Sequence, residues 1–301
     1  MSDYTHGASK ARLPVWLRRP IAQPGQANAV SGLLAELELN TVCQSAKCPN
    51  RGECFSAGTA TFLIMGDACT RGCRFCAVET RAPSALDADE PRRIGEAASR
   101  MGLKHLVITS VTRDDLPDGG AAHFVATIEA VRAAVAGIAV EVLTSDFGGR
   151  MESVDAVATA RPDVYNHNLE TVPRLYTEVR PGADYQRSLD VLARVHATQP
   201  DLSTKSGVML GLGETPDEVR EVMGDLRAHG VSMLTLGQYL RPSVAHLPVT
   251  EFVEPAVFAQ LARDAYKLGF SAVASAPFVR SSYHAGELAE NAASCDSTSE
   301  E

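Results

Sequence analysis

Six short apolar runs recur along the middle of the chain, with amphipathic stretches between them. They read TFLIMG (61–66), KHLVITS (104–110), AVEVLTS (139–145), DVYNHN (163–168), SGVMLG (206–211) and SMLTLGQ (232–238). Near-continuous runs of this length suit parallel strands buried on both faces. The intervening stretches carry helix signals. Thr215-Pro216-Asp217-Glu218 is a capping box with Pro at the first helical position, and Val219, Val222, Met223 and Leu226 then share one face up to a stop at Gly230. Asp184 can cap a helix with Tyr185, Leu189, Leu192 and Val195 on one stripe. Pro255 opens another, with Phe258, Leu261, Ala265 and Leu268 expected inward and Gly269 as its stop.

Six β–α repeats in a row predict a parallel sheet with crossover helices. Six units are fewer than the eight that close a barrel. The expected fold is therefore α/β: a partial (β/α)6 TIM-like barrel with N-terminal and C-terminal extensions covering the mouth. Residues 1–60 and 276–301 fall outside the alternation. The organisation read from this is an N-terminal extension over 1–54, a core barrel over 55–271 and a C-terminal extension over 272–301. The tail ASCDSTSEE (293–301) is small, polar and acidic, and is expected to be disordered.

Composition narrows the function classes. The 301 residues are 45% hydrophobic and 22% charged, enough for a packed core, and the net charge is −9. So acidic a chain is a poor bulk match for nucleic acid, which is not expected as a partner. No segment approaches the ~18 apolar residues of a membrane helix, and no membrane partner is expected. The first twenty residues lack the apolar centre of a secretory signal and are broken by Pro14 and Pro20. A cytoplasmic location is the expectation. In a reducing compartment, clustered cysteines bind metal more often than they form disulfides.

Six of the seven cysteines fall into two triplets. Cys69, Cys73 and Cys76 form C-x3-C-x2-C directly after the first predicted strand, on the kind of loop where α/β barrels keep their chemistry. Three converging thiolates suit a [4Fe–4S] cube whose fourth iron stays open to an outside ligand. A zinc site with a fourth His or Cys is the alternative, although paired C-x2-C knuckles are absent. Cys43, Cys48 and Cys54 form C-x4-C-x5-C, with Pro49 and Gly52 favouring a turning loop. Taken alone, a zinc loop or three unpaired thiols describe this triplet equally well.

The C-x3-C-x2-C triplet, with aromatic Phe75 before its last cysteine, resembles the radical S-adenosylmethionine superfamily. The two triplets in this order are similar to the lipoyl synthase family within it. So are LPVWLRRP (13–20), SVTRDDLPDGGA (110–121), NHNLETV (166–172), VRPGADYQRSL (179–189), KSGVMLGLGET (205–215), QYLRPS (238–243) and PFVRSSYHAG (277–286). The resemblance implies two [4Fe–4S] clusters and S-adenosyl-L-methionine. One cluster would sit on Cys69, Cys73 and Cys76 with the cofactor on its open iron. An auxiliary cluster would sit on Cys43, Cys48 and Cys54, with Ser282, the second serine of RSSY, as its fourth ligand. Without the resemblance, Ser282 reads as a surface hydroxyl.

The implied reaction is insertion of two sulfurs, at C6 and C8 of an octanoyl-lysine, by a sulfurtransferase that destroys its auxiliary cluster. The implied partners are octanoylated lipoyl carrier domains (2-oxoacid dehydrogenase E2 subunits or the glycine cleavage H protein), an electron donor such as flavodoxin or ferredoxin, and a carrier that rebuilds the cluster. Rival readings are another two-cluster enzyme, of methylthiotransferase or biotin-synthase type, or a non-enzymatic zinc-binding module. Phe75, Thr112, Asn168, Glu170, Arg180, Gly211, Gly213 and Glu214 are the candidate cofactor contacts. For Glu170 and Arg180 a surface salt bridge is the competing role, and for GLGE (211–214) a plain strand-to-helix turn. Asp114 and Asp115 fit either the cofactor's amino group or a helix N-terminus. Arg241 is a candidate substrate contact, and Arg12, Arg18 and Arg19 a candidate docking patch. Cys295 is expected to be a bystander. No H-E-x-x-H, P-loop or G-x-G-x-x-G occurs.

Overall fold

The computed structural model describes residues 13–18 and 25–296. One eight-stranded sheet dominates it. Its strands are β1 (Asn40–Thr41), β2 (Thr61–Ile64), β5 (His105–Ser110), β6 (Ala139–Leu143), β7 (Val164–Asn166), β8 (Ser203–Leu210), β9 (Met233–Gln238) and β10 (Ala272–Ser275), in that spatial order. A separate two-stranded sheet pairs β3 (Ala68–Cys69) with β4 (Glu79–Thr80). From β2 to β10 every pair of neighbours is parallel. The crossovers carry α4 (Glu90–Arg100), α5 (Ala121–Ala134), α6 (Met151–Thr159), α8 (Tyr185–Thr198), α9 (Pro216–Ala228) and α10 (Pro255–Lys267). This is the six-unit α/β barrel, extended by a seventh parallel strand and by β1, which pairs antiparallel with β2. β1 and β10 stand at the two ends of the strand order, so the sheet is open.

All six predicted strands form, each within a few residues of its run. The first ends at Ile64 because Met65 (φ +68°) and Gly66 (φ +92°) turn the chain out of the sheet. The predicted caps are also present. Thr215 Oγ1 accepts from Glu218 N at 3.2 Å while Glu218 Oε2 accepts from Thr215 N at 2.8 Å. Asp184 Oδ1 accepts from Arg187 N at 2.8 Å. Leu268 departs from expectation. It caps α10 where the chain turns at Gly269 (φ +90°), and it is 43% exposed instead of facing the core. The tail also departs in part: residues 293–296 belong to α11 (Ala285–Asp296), and residues 297–301 lie outside the described ones. Arg12 and Arg19 of the suggested basic patch lie outside them too, while Arg18 Nε donates to Leu13 O at 3.0 Å.

Side chains two apart on a strand share a face. Leu63, Thr109, Leu143, Gly207 and Thr235 line a central cavity, so Thr61, Glu141, Lys205 and Met233 lie one step deeper in the lumen. At that depth Lys205 Nζ donates to both Glu141 oxygens, at 2.8 and 3.1 Å, and Asn166 Nδ2 donates to Oε1 at 3.3 Å. Glu141 and Lys205 are fully buried. Burial alone pushes the Glu141 carboxyl up, but Lys205 and His105 outweigh it and hold it below the ordinary carboxylate range. Beneath this layer Leu288 and Ala292 of α11 pack against Val164, Met233 and Ala272, closing the bottom of the lumen. The barrel therefore has one open end, where the strands' C-terminal ends meet the extensions.

Removing one partner of a buried ion pair costs about 3–5 kcal/mol, because a charge is left without compensation. Lys205→Met is expected to lower unfolding stability by about that much. The double change Lys205→Met/Glu141→Leu is expected to recover most of the loss. The deficit of Lys205→Met should shrink as pH falls and the stranded Glu141 takes up a proton. Chemical denaturation from pH 5 to 8 checks both the size and the sign.

Candidate two-cluster active site

The loop after β2 carries Cys69, Cys73 and Cys76, and all three line a cavity of about 460 Å³ at the open end of the barrel. Pairing of β3 with β4 closes the base of this loop. Thr112 N donates to Cys69 Sγ at 3.3 Å. Arg74 N donates to Val179 O at 2.9 Å and Arg74 O accepts from Leu247 N at 3.1 Å, so the loop is strapped on two sides. Arg71 forks onto Asp114 (2.7 and 2.8 Å) and also reaches Asp146 at 2.7 Å. His246 adds a tie that the sequence reading missed, with Nε2 lying 3.0 Å from Cys76 O and Nδ1 2.9 Å from Ser243 Oγ. Donation from Nε2 to the carbonyl leaves Nδ1 to accept from the serine.

The first triplet reaches the same cavity from the other side. The register Thr41↔Phe62 brings the chain beside β2, and α2 (Val42–Ser45), capped by Thr41 Oγ1, carries Cys43. Cys48 follows on the turn and Cys54 lies in α3 (Arg51–Ser56). Cys43 and Cys48 line the cavity. Cys54 is not part of its lining, but it is close enough for both to make its thiol a weaker acid.

Ser282 lines the cavity as well, and its Oγ accepts from Thr61 Oγ1 at 2.7 Å. Neighbouring bonds hold the C-terminal segment against the triplet. Asn50 Nδ2 donates to Phe278 O at 2.7 Å and Tyr283 Oη donates to Glu53 Oε1 at 2.8 Å. Gly237 permits this docking, because a side chain there would collide with Val279 O. The preceding serine faces the opposite wall, where Ser281 Oγ accepts from Asn168 Nδ2 at 2.5 Å.

Burial pushes the Cys43 and Cys73 thiols up, and those of Cys54 and Cys76 up to about 12. Arg180 faces Cys73 and works against this trend. Its Nη1 donates to the carbonyls of Asn168 and Leu169 at 2.9 and 3.1 Å. Burial also raises the Glu170 carboxyl, with Arg180 and Asn168 pulling it back. His167 is driven down to about 4, first by burial and then by Arg180. It is therefore neutral, donates from Nδ1 to Thr144 O at 2.9 Å, and presents Nε2 as an acceptor. Among the described residues His167 Nε2, Asn168 Oδ1 and Arg180 Nε are buried without a hydrogen-bond partner, and their three residues line the cavity.

Phe75, Thr112, Asn168, Glu170 and Arg180 are thus brought together at the cavity. Gly211, Gly213 and Glu214 are not in its lining. Glu214 turns back to accept from Gly211 N and Leu212 N of its own loop, and Gly211 (φ +100°) has no room for a side chain beside Gln238 and Glu251 O. Asp114 is engaged by Arg71 and Asp115 by Arg113. Arg241 lines the cavity, but its guanidinium donates to the carbonyls of Val244 and His246. Among the described residues no three His, Cys, Asp or Glu side chains are grouped to hold a single metal ion. A lone zinc needs thiolates within about 2.3 Å of one point, whereas a cube gives each thiolate its own iron.

Residues 63–226 match the family model of the radical SAM superfamily. The chain is 57% identical over 274 residues to the lipoyl synthase of Caldanaerobacter subterraneus subsp. tengcongensis, covering 91% of this chain and 96% of that protein. It is 57% identical over 279 residues to that of Trichlorobacter lovleyi, covering 92% and 99%. It is 56% identical over 279 residues to that of Methylococcus capsulatus, covering 92% and 87%. Among solved structures it resembles the FeFe-hydrogenase maturase HydG of Carboxydothermus hydrogenoformans, with a TM-score of 0.56 at 11% identity over 82% of this chain and 65% of that one. Methylornithine synthase (PylB) gives a TM-score of 0.51 at 13% identity over 81% and 73%. These two likenesses concern the fold. From sequence identity along nearly its whole length, the chain belongs to the lipoyl synthase family of the radical SAM superfamily, whose cofactors are S-adenosylmethionine and [4Fe–4S] clusters.

Proposed function

We propose that this chain inserts sulfur at C6 and C8 of an octanoyl chain borne on a lysine of a lipoyl carrier domain. The observation that carries the reading is the meeting of Cys69, Cys73 and Cys76 with Cys43, Cys48 and Ser282 around one cavity, Cys54 lying beside it. Cys69, Cys73 and Cys76 would hold one [4Fe–4S] cluster, leaving its fourth iron to the amino and carboxylate groups of S-adenosylmethionine. Cys43, Cys48, Cys54 and Ser282 would hold the second. When bound, these groups supply a carbon-centred radical strong enough to take hydrogen from a saturated C–H bond, and the sulfur that replaces it.

The residues present fit that load. The unpartnered acceptors on His167 and Asn168 suit an ammonium group, and the Arg180 guanidinium suits a carboxylate. Phe75 supplies an aromatic wall. Leu63, Leu143, Val208, Met209 and Leu240 make much of the remaining surface apolar, which accommodates an alkyl chain and excludes water. A saturated carbon offers no acidic proton, so a general base achieves nothing there. The protein's part is to hold the alkyl carbon between the two sites, where proximity decides which bond forms. The reading also calls for a one-electron donor, such as flavodoxin or ferredoxin, and for a carrier that rebuilds the second cluster. The N-terminal, barrel and C-terminal parts then act as one unit, each supplying a wall of the site.

Anaerobic turnover with reductant, S-adenosylmethionine and an octanoylated carrier peptide is expected to add two sulfurs per peptide with two 5′-deoxyadenosines released. Cys43→Ala is expected to abolish lipoyl formation, and its persistence there would refute the assignment of the first triplet as sulfur donor. Metal analysis giving zinc without sulfide would overturn the reading altogether. A pH dependence follows from the thiols. Cys43, Cys54, Cys73 and Cys76 are held protonated by burial, so iron must displace protons to bind. Cluster loading of the apoprotein is expected to release acid and to strengthen between pH 7 and 9. A flat loading curve over that window would contradict it.

A further inference from the structure

Ser282 comes from a different part of the chain than the cysteines it faces, and something must bring its oxygen to them. Three hydrogen bonds tie residues 278–283 to residues 50–61. Two of them, from Asn50 to Phe278 O and from Tyr283 to Glu53, fix only the neighbourhood. The third ends on the Ser282 oxygen itself, at 2.7 Å from Thr61 Oγ1. We propose that Thr61 is the positioning residue that presents Ser282 to the auxiliary cluster, its hydroxyl donating to the serine oxygen. The proposal rests on Ser282 being that cluster's fourth ligand.

Thr61 is suited to this in three ways. It is 5% exposed and paired with Val107 of β5, and its neighbour Phe62 is paired with Thr41 of β1, so its backbone is fixed from both sides. As a β-branched residue in a strand it loses little freedom on holding one rotamer. It also stands beside both halves of the site, bonded to Ser282 and close enough to Cys43 to bear on that thiol's acidity. The separation of 2.7 Å is an ordinary length for a hydroxyl pair and is also within the range for donation to an oxygen carrying negative charge. Ser281 completes the arrangement from the other wall through Asn168, so adjacent serines are held in opposite directions and the peptide between them cannot swing.

The test uses the full-length chain carrying Cys69→Ala, Cys73→Ala and Cys76→Ala, reconstituted with 57Fe so that only the auxiliary site is loaded. Ser282→Ala in this background identifies the Mössbauer signature of the oxygen-ligated iron. Thr61→Val and Thr61→Ala are both expected to lose that signature. They should also release iron to a chelator roughly tenfold faster or more, the factor carried by a lost hydrogen bond to a charged group. Thr61→Ser, which keeps the hydroxyl, is expected to behave as the parent. Circular dichroism melts monitor the fold, and two hydroxyl-free variants guard against one that fails to fold. Parent-like spectra and iron release in either folded hydroxyl-free variant would overturn the proposal. So would a Thr61→Ser variant that fails like Thr61→Val, because the role would then be packing. If Ser282→Ala itself leaves the spectrum unchanged, the ligand assignment falls first and this role falls with it, which separates the two failures.

Discussion

The site depends on contact between two segments at opposite ends of the chain. Thr61 and Ser282 are 221 residues apart, and Glu53 and Tyr283 are 230 apart, yet each pair is hydrogen-bonded. Closing so long a loop is costly in an unfolded chain, but the cost grows only slowly with length. Here the barrel has already done most of the closing. β2 and β10 lie near opposite ends of one curved sheet. After β10 the chain passes Gly237 of β9, Asn168 beyond β7 and Thr61 of β2, and then runs into α11 beneath the lumen. That path crosses the open barrel from wall to wall. Without it, Cys43 and Cys48 would face a wide aqueous mouth.

The lumen is layered by polarity, and the layers have different tasks. At the bottom, α11 supplies apolar packing. Above it, Lys205 and Glu141 form a buried ion pair that Asn166 Nδ2 also joins. In the cavity above, three buried polar atoms without a protein partner, His167 Nε2, Asn168 Oδ1 and Arg180 Nε, belong to residues lining one space. A binding surface is recognised by that difference. Polar groups already matched to each other stiffen a fold, while groups aimed at a cavity and unmatched await a ligand.

Legibility from sequence followed the strength of the physical signal. β5, β6, β8 and β9 carry long apolar runs and were readable. β10 is only Ala-Val-Ala-Ser and β1 only Asn-Thr, too short for any period to show. The capping box at Thr215 and the cap at Asp184 were readable because their geometry is local, whereas Leu268 was misplaced because a helix stripe does not say where the helix stops. The GLGE segment offers glycines and a carboxylate, and the sequence alone does not reveal that the carboxylate satisfies its own loop. The cysteine spacings announced metal. Ser282 was reached only through family resemblance, and Thr61 and His246 were not reached at all. A threonine in a strand and a histidine in a loop have ordinary roles, and only tertiary contacts distinguish them.

The unequal anchoring of the proposed ligands bears on what each cluster is for. Cys69, Cys73 and Cys76 sit on one loop tied to Thr112, Val179, Leu247 and His246. Losing any one tie leaves the others, which suits a cluster that must survive each turnover. Cys43 and Cys54 sit on two short helices with Cys48 on the turn between them, tied through Asn50 and Glu53 to the C-terminal segment. The proposed fourth ligand, Ser282, arrives on a separate segment and its oxygen is bonded to the Thr61 hydroxyl. A serine oxygen is a harder ligand than thiolate and a poorer match for iron in a sulfide cube. When it leaves, the neighbouring bonds from Asn50 and Tyr283 keep the segment in place. The site can therefore give up a metal corner without opening the barrel, as a cluster consumed for its sulfur requires.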